Sequence, residues 1–290
     1  MQSSNIRSIA GYAPEVARCC LDGPSVPQAL EKLYEHFNSF AQIHPDPLEF
    51  VHLYESPADR EITGFIASSL AYGRVMQILG SVRSVLDLMG PSPSFFLRKN
   101  RPADLMNTFR SFKHRFTTGE MLASMLAGAG KLISRYGSLE SCFLTGFSQT
   151  DPNVLPALAA FVKNVENACA RALPTFLPSP EGGSACKRLN LFLRWMARSD
   201  NVDPGAWKTV PASHLIVPLD THMHRIALSL GLTCRKQADM RCALEITRAF
   251  ASIRPDDPVR YDFALTRFGI KPETSRMQPF FSLLKKEVKG

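Results

Sequence analysis

Apolar residues recur along this chain at three- and four-residue intervals, and almost nowhere do they alternate with polar ones. In "PADREITGFIASSLAYG" the side chains of Ile62, Phe65, Ile66 and Leu70 fall on one face of a helix that Gly73 ends. "RVMQILGSVRSVLDLMG" follows at once and stops at Gly90. "SVPQALEKLYEHFNSF" opens with Ser25 and Pro27 and keeps the same spacing. Further helices are predicted in "TGEMLASMLAGAGKLISRYG", "NVLPALAAFVKNVENACARAL", "SACKRLNLFLRWMARS", "DTHMHRIALSLG", "KQADMRCALEITRAFASI" and "DPVRYDFALTRFG". "HLIVPL" is the most strand-like run, but Pro218 makes it a poor central strand. The pattern predicts an all-α chain with short loops rich in Pro and Gly and no internal repeat. Residues 90–116, "GPSPSFFLRKNRPADLMNTFRSFKHRF", read as irregular and basic, and 176–185, "FLPSPEGGSA", as a turn between two helices.

A chain of 290 residues can bury a sizeable core as one large domain or two lobes. Its formal net charge of +8 makes a polyanion, most simply nucleic acid, a natural partner, with a merely basic soluble protein as the alternative. The irregular stretch concentrates that charge: Arg98, Lys99, Arg101, Arg110, Lys113, His114 and Arg115 interleave with Phe96, Phe109, Phe112 and Phe116. Such a mixture suits a phosphate backbone with unstacked bases, or a solvated face over a local apolar cluster. The seven cysteines are odd in number and contain no Cys-x-x-Cys pair, and "MQSSNIRSIAGYAPEVARCC" lacks the apolar core of a signal peptide. A cytoplasmic protein with free thiols is therefore expected. "MLASMLAGAGKLI" is broken by Lys131 and too short for a bilayer, so no membrane partner is expected.

Chemistry-bearing residues are densest in "LIVPLDTHMHRIALSLGL", which holds Asp220, His222 and His224. An apolar run leading into Asp-x-His-x-His resembles the first metal-binding motif of the metal-dependent amidohydrolases. Those enzymes need further ligands from later strands, and here residues 225–290 contain no His and read as helices. No metal and no other cofactor is expected. Asp220 also has a structural explanation: it is a preferred N-cap, followed by Met223, Ile226, Ala227 and Leu230 at helical spacing and by the stop Gly231. In "GGSACKRLNLFLRWMAR" Ser184 reads as the N-cap, Leu189, Phe192, Leu193 and Met196 as the buried stripe, and Lys187 as a first-turn residue. The helix dipole disfavours an ammonium there and burial acts the same way, which would suit a Schiff-base nucleophile; plain surface charge is the alternative.

Together "EGGSACK" and "VPLDTHMHRIA" resemble the helix-hairpin-helix DNA glycosylases, in which a Gly-rich hairpin precedes a Lys at a helix head and an Asp later opens another helix. The second string looks most like the 8-oxoguanine DNA glycosylase/AP lyases, and "FIASSLAYGRV" looks like the helix and turn with which those enzymes enter the lesion site. The whole chain also resembles an uncharacterised bacterial protein family. The resemblance implies a two-lobed helical helix-hairpin-helix glycosylase-like fold over residues 58–290, after an N-terminal helical extension over 1–57. It implies a monomer that acts on double-stranded DNA with a damaged base, removing 8-oxoguanine through a Lys187 Schiff base with strand cleavage. Asp220 would stabilise positive charge on the sugar. Gly182, Gly183 and Ser184 would hold a backbone phosphate, and His222 another. Tyr72 and Arg74 would fill the gap or read the opposite base, and Phe263 would stack on the extruded base. Two alternatives stay open: a monofunctional glycosylase for alkylated or deaminated bases, and a non-catalytic helical DNA-binding module.

Overall fold

A computed structural model describes residues 25–169 and 177–270 of the protein. The described residues are mostly helical: α1 (Ser25–Phe37), α2 (Pro57–Ser69), α3 (Val75–Met89), α4 (Pro93–Lys99), α5 (Pro102–Thr108), α6 (Gly119–Tyr136), α7 (Leu139–Leu144), α8 (Leu155–Ala168), α9 (Lys187–Ala197), α10 (Thr221–Ser229), α11 (Met240–Ala251) and α12 (Asp262–Ile270). Short 3-10 turns at Phe40–Gln42, Pro47–Leu53, Pro180–Gly182 and Ala212–His214 link them. None of the described helices is long and apolar enough to cross a membrane.

Helix α2 organises the core. It lies against the Pro47–Leu53 turn, α3, α4 and α9, and every residue from Glu61 to Ser69 is buried. Its apolar residues Ile62, Phe65 and Ile66 explain most of that burial; its acids explain how neighbours dock on it. Asp59 accepts hydrogen bonds from Ser92 Oγ and Ser94 N at 2.8 Å each, at the start of α4. Glu61 accepts from Leu139 N and Glu140 N, the first turn of α7, and from Trp207 Nε1. A buried carboxylate aimed at free N–H groups satisfies donors that a helix start otherwise leaves orphaned. Burial raises the Glu61 carboxyl above its usual range, although these three donors pull it down.

Residues 90–116 are more regular than the sequence suggests. Pro93 and Pro102 each stand at the first turn of a short helix, where a missing N–H is no loss. Ser92 caps the first, accepting from Phe95 N at 3.3 Å. A two-stranded hairpin, β1 (Lys113–His114) with β2 (Thr117–Thr118), follows. Helix α7 was also unforeseen, being too short to show a periodic stripe. The segment expected as an N-terminal extension belongs to the same core in its described part. Helix α1 packs on α12, and Leu30, Leu33 and Phe37 are buried. Glu31 on α1 accepts from Arg254 Nε at 2.9 Å, Arg260 Nη2 at 3.0 Å and Tyr261 Oη at 2.6 Å. Cys19 and Cys20 lie outside the described residues.

A buried ionic cluster joins α9 to the chain that follows it. Arg194 pairs with Asp203 at 3.2 Å and with Asp262 at the head of α12. Arg198 pairs with Asp200 at 2.6 Å, Asp203 at 2.8 Å and Asp257 at 2.8 Å. Two guanidiniums thus serve four carboxylates. The surrounding carboxylates hold both arginines in their charged form, while burial pushes the Asp203 carboxyl upward against the pull of Arg194 and Arg198. Removing a cation from such a cluster strands anions that burial already penalises. Arg198→Met should therefore destabilise the protein by about 3–5 kcal/mol, measured by urea unfolding. A loss below about 1 kcal/mol, the range of exposed pairs, would show that the cluster is not a structural hub.

Candidate active site

Helices α9 and α10 both begin at one cavity, and the residue at each start faces the other. The approach to α9 differs from expectation. Ser184 is not the cap: Cys186 holds that position in the left-handed conformation, φ 48°, so Lys187 is the first helical residue. The reason lies in what the preceding residues bind. Gly183 O accepts from Met240 N at 3.1 Å, fixing the hairpin to the start of α11, while Ser184 Oγ accepts from Cys186 N at 3.2 Å. Asn190 then clamps the turn from inside the helix, donating to Ala185 O at 3.0 Å.

Asp220 is the N-cap of α10, as its sequence context predicts. Its Oδ1 accepts from His222 N at 2.9 Å and Met223 N at 2.8 Å. That leaves Oδ2 for Lys187 Nζ, 3.1 Å away. The two side chains are about one-third exposed, at 33% and 27%. Burial tends to raise the Asp220 carboxyl, but the Lys187 ammonium and the two backbone donors outweigh it and hold it below the usual range. The cavity beside the pair has a volume of about 230 Å3. Gly73, Val75 and Ile78 form one wall, Leu191 and Arg194 another, and Phe263, Thr266 and Arg267 a third.

Phe263 is 7% exposed, and the Arg267 guanidinium lies 5.0 Å from its ring centre. Sequence reasoning missed the charged groups around it. Arg194, Asp262 and Arg267 line the cavity, as does Asp46, which pairs with Arg267 at 3.1 Å. The one legible signal was the placing of Asp262 directly before Phe263 at a helix start. Asp262 is fully buried, and desolvation, aided by Asp220 and opposed by Arg194, pushes its carboxyl up to about 6.

The other predicted residues divide. Arg74 is exposed at the head of α3, beside the Gly73 corner of the cavity. Tyr72 is taken up by the fold: its hydroxyl donates to His114 O at 2.8 Å and meets Thr117 Oγ1 at 2.7 Å, so it brackets the hairpin rather than projecting freely. Its ring is also covered by the Arg188 guanidinium, 5.0 Å from the centroid. The bracket sets Arg115 and Phe116 near the same corner, with Arg115 packed over Gly73 and Phe116 74% exposed. The N–H groups of Gly182 and Gly183 are used within their own turn, donating to Ser179 O and Pro180 O, so a phosphate there cannot rely on them as free donors. His222 Nε2 is enclosed without a hydrogen-bond partner, and burial lowers the imidazole's pKa despite nearby Asp220. His224 turns away and bonds Arg235 O at 2.8 Å. Among the described residues no three His, Cys, Asp or Glu side chains gather as a metal site requires.

The family model described as "Protein of unknown function (DUF2400)" matches residues 46–271, and the chain belongs to that family. No curated protein and no solved structure matches it.

The Asp262 carboxyl gives the site a pH signature. Its value near 6 in the folded chain exceeds its ordinary 3.8, so between those limits the folded state binds the extra proton. This group's contribution to stability therefore rises as pH falls from about 6 toward 3.8. Urea unfolding across that range should show such a component, and Asp262→Asn should remove it. An identical pH profile for the variant would exclude Asp262 as its source.

Proposed function

We propose that the protein is a DNA glycosylase with AP lyase activity, acting on double-stranded DNA through Lys187 and Asp220. The observation that carries the reading is the 3.1 Å contact between these two side chains, at the starts of two helices that open on one cavity. The resemblance to helix-hairpin-helix glycosylases, and with it a two-lobed arrangement of that kind, rests on the same two motifs. A glycosylase must reach the sugar C1′ of a nucleotide turned out of the duplex into a pocket. An amine at the pocket's edge can attack C1′ as the bond to the damaged base breaks, giving a Schiff base from which β-elimination cuts the strand.

Each residue's surroundings suit its role. Lys187 must shed a proton before it attacks, and the Asp220 carboxylate beside it helps draw that proton away to solvent while itself staying ionised. Asp220 is ionised and fixed by two backbone donors, so its charge is already in place where positive charge develops on the sugar. Phe263 offers an aromatic wall to an extruded base, and Arg74 with Arg115 brings positive charge to the corner where a backbone would pass. The "VPLDTHMHRIA" string selects 8-oxoguanine as the base to try first.

Incubation with a panel of lesion-bearing duplexes and borohydride should trap a covalent protein–DNA adduct, with cleavage at 8-oxoguanine. Lys187→Gln should abolish both trapping and cleavage while leaving duplex binding nearly intact, because the general attraction is spread over 34 basic residues. Full base release by Lys187→Gln would instead place the attack on water, as in a monofunctional glycosylase. Binding without reaction at any lesion would leave a DNA-binding module.

Asp220→Asn should keep the helix cap, since Asn caps nearly as well, yet lose about 100-fold or more in rate with the charge gone. Asp220→Ala should also lose about 1 kcal/mol of stability. Binding of wild type to undamaged duplex should weaken steeply between about 50 and 200 mM salt, as counterion release requires. A flat response would assign the net positive charge to solubility.

A further inference from the structure

A second cavity of about 440 Å3 lies between α4, α5 and α6 and shares no lining residue with the first. Ala127 and Gly130, three residues apart on α6, leave room there because neither carries more than a methyl group. A Cβ at Gly130 would meet only Leu97 O at 3.9 Å, an ordinary contact, so its smallness keeps the groove open without being forced by the backbone. The floor is apolar, made of Leu97 and Leu105, both buried. Arg98, Lys131 and Arg135 stand around it, and among the described residues no carboxylate lines it.

These three cations form no ion pair among the described residues. Among the described residues Lys131 Nζ donates once, to Ala168 O at 3.0 Å, and an ammonium has three N–H groups to offer. Like charges around one opening repel, and a bound anion relieves them. The first cavity is the opposite case, since its cations Lys187, Arg194 and Arg267 are already paired with Asp220, Asp262 and Asp46. The volume falls within the range of small-molecule sites, and an apolar floor with a few convergent polar groups is their usual composition.

We propose that this groove binds a nucleotide-like ligand: a phosphate ester whose flat ring lies over Leu97 and Leu105 while its phosphates meet Arg98, Lys131 and Arg135. Guanidinium groups take phosphate oxygens in pairs, which suits two arginines at one rim. The inference is independent of the glycosylase reading, because no residue of the Lys187–Asp220 cavity enters it.

Calorimetric titration of the full chain with ADP, adenosine and pyrophosphate tests it. ADP should bind with one-to-one stoichiometry, and adenosine and pyrophosphate each at least about tenfold more weakly, because each lacks one half of the contact. The Arg98→Glu/Arg135→Glu double variant should lose about tenfold or more in ADP affinity. Gly130→Leu should abolish binding by filling the floor while retaining the thermal unfolding midpoint, since Leu is a better helix former than Gly. No binding of ADP, or equal binding of adenosine or pyrophosphate, would overturn the proposal. So would loss of ADP binding in Phe263→Ala with the double variant unaffected, which would put the ligand in the first cavity.

Discussion

The geometry of the site depends on the buried ionic cluster at the far end of α9. That helix carries Lys187 at its first residue and Arg194 near its last turn, with Arg198 just beyond. Arg194 reaches Asp262 at the head of α12, and Arg198 reaches Asp200, Asp203 and Asp257. Fixing Arg194 against α12 fixes the axis of α9, and with it the point at which Lys187 enters the cavity. The anchorage continues outward: Asp200 accepts from Tyr34 Oη at 2.8 Å, which draws in α1. A charged cluster is directional where apolar packing is not, so it can set the relation of α1, α9 and α12 with few residues.

Carboxylates repeatedly join one segment to another in this fold. Asp59 and Glu61 project from α2 to the first turns of α4 and α7, and Asp239 accepts from Cys242 N to start α11 while also binding Arg235. Asp220 belongs to this set by geometry and departs from it by what remains unused. One oxygen serves two backbone donors; the other meets an amine instead of a further N–H. A purely structural cap needs only the first oxygen.

Much of the fold was legible because local periodicity and burial agree. Ile62, Phe65 and Ile66 predict the face of α2 that is buried, and Gly90 adopts the positive φ that ends α3, whereas α2 stops at Ser69, before the positive-φ Gly73 expected to end it. The Lys187–Asp220 meeting was legible only through two motifs, since nothing local links residues 33 positions apart (220 − 187). What stayed hidden is what long-range contact decides. Ser184 is a good cap by composition, but Met240 N claims the neighbouring carbonyl and moves the helix start to Lys187. Tyr72 reads as a free aromatic until the hairpin takes its hydroxyl. Arg194 and Arg198 carry no local sequence signal of their roles, because their partners Asp203, Asp257 and Asp262 come from chain that follows.

The two cavities differ in how their charges are paired. Around the first, Lys187, Arg194 and Arg267 each have a carboxylate partner, so its field is short-ranged and its polar groups are already oriented. Such a place suits chemistry on a bond held within it, because dipoles fixed beforehand need no reorganisation as charge develops. In the proposed glycosylase, a phosphate would meet Asp46, Asp220 and Asp262 there, so the DNA backbone would be held outside, at the Arg74 and Arg115 corner, with only the extruded nucleoside entering. On that proposal the division follows from charge: a pocket that pairs its ions would tolerate a neutral base, and phosphates would sit where positive charge is left unpaired.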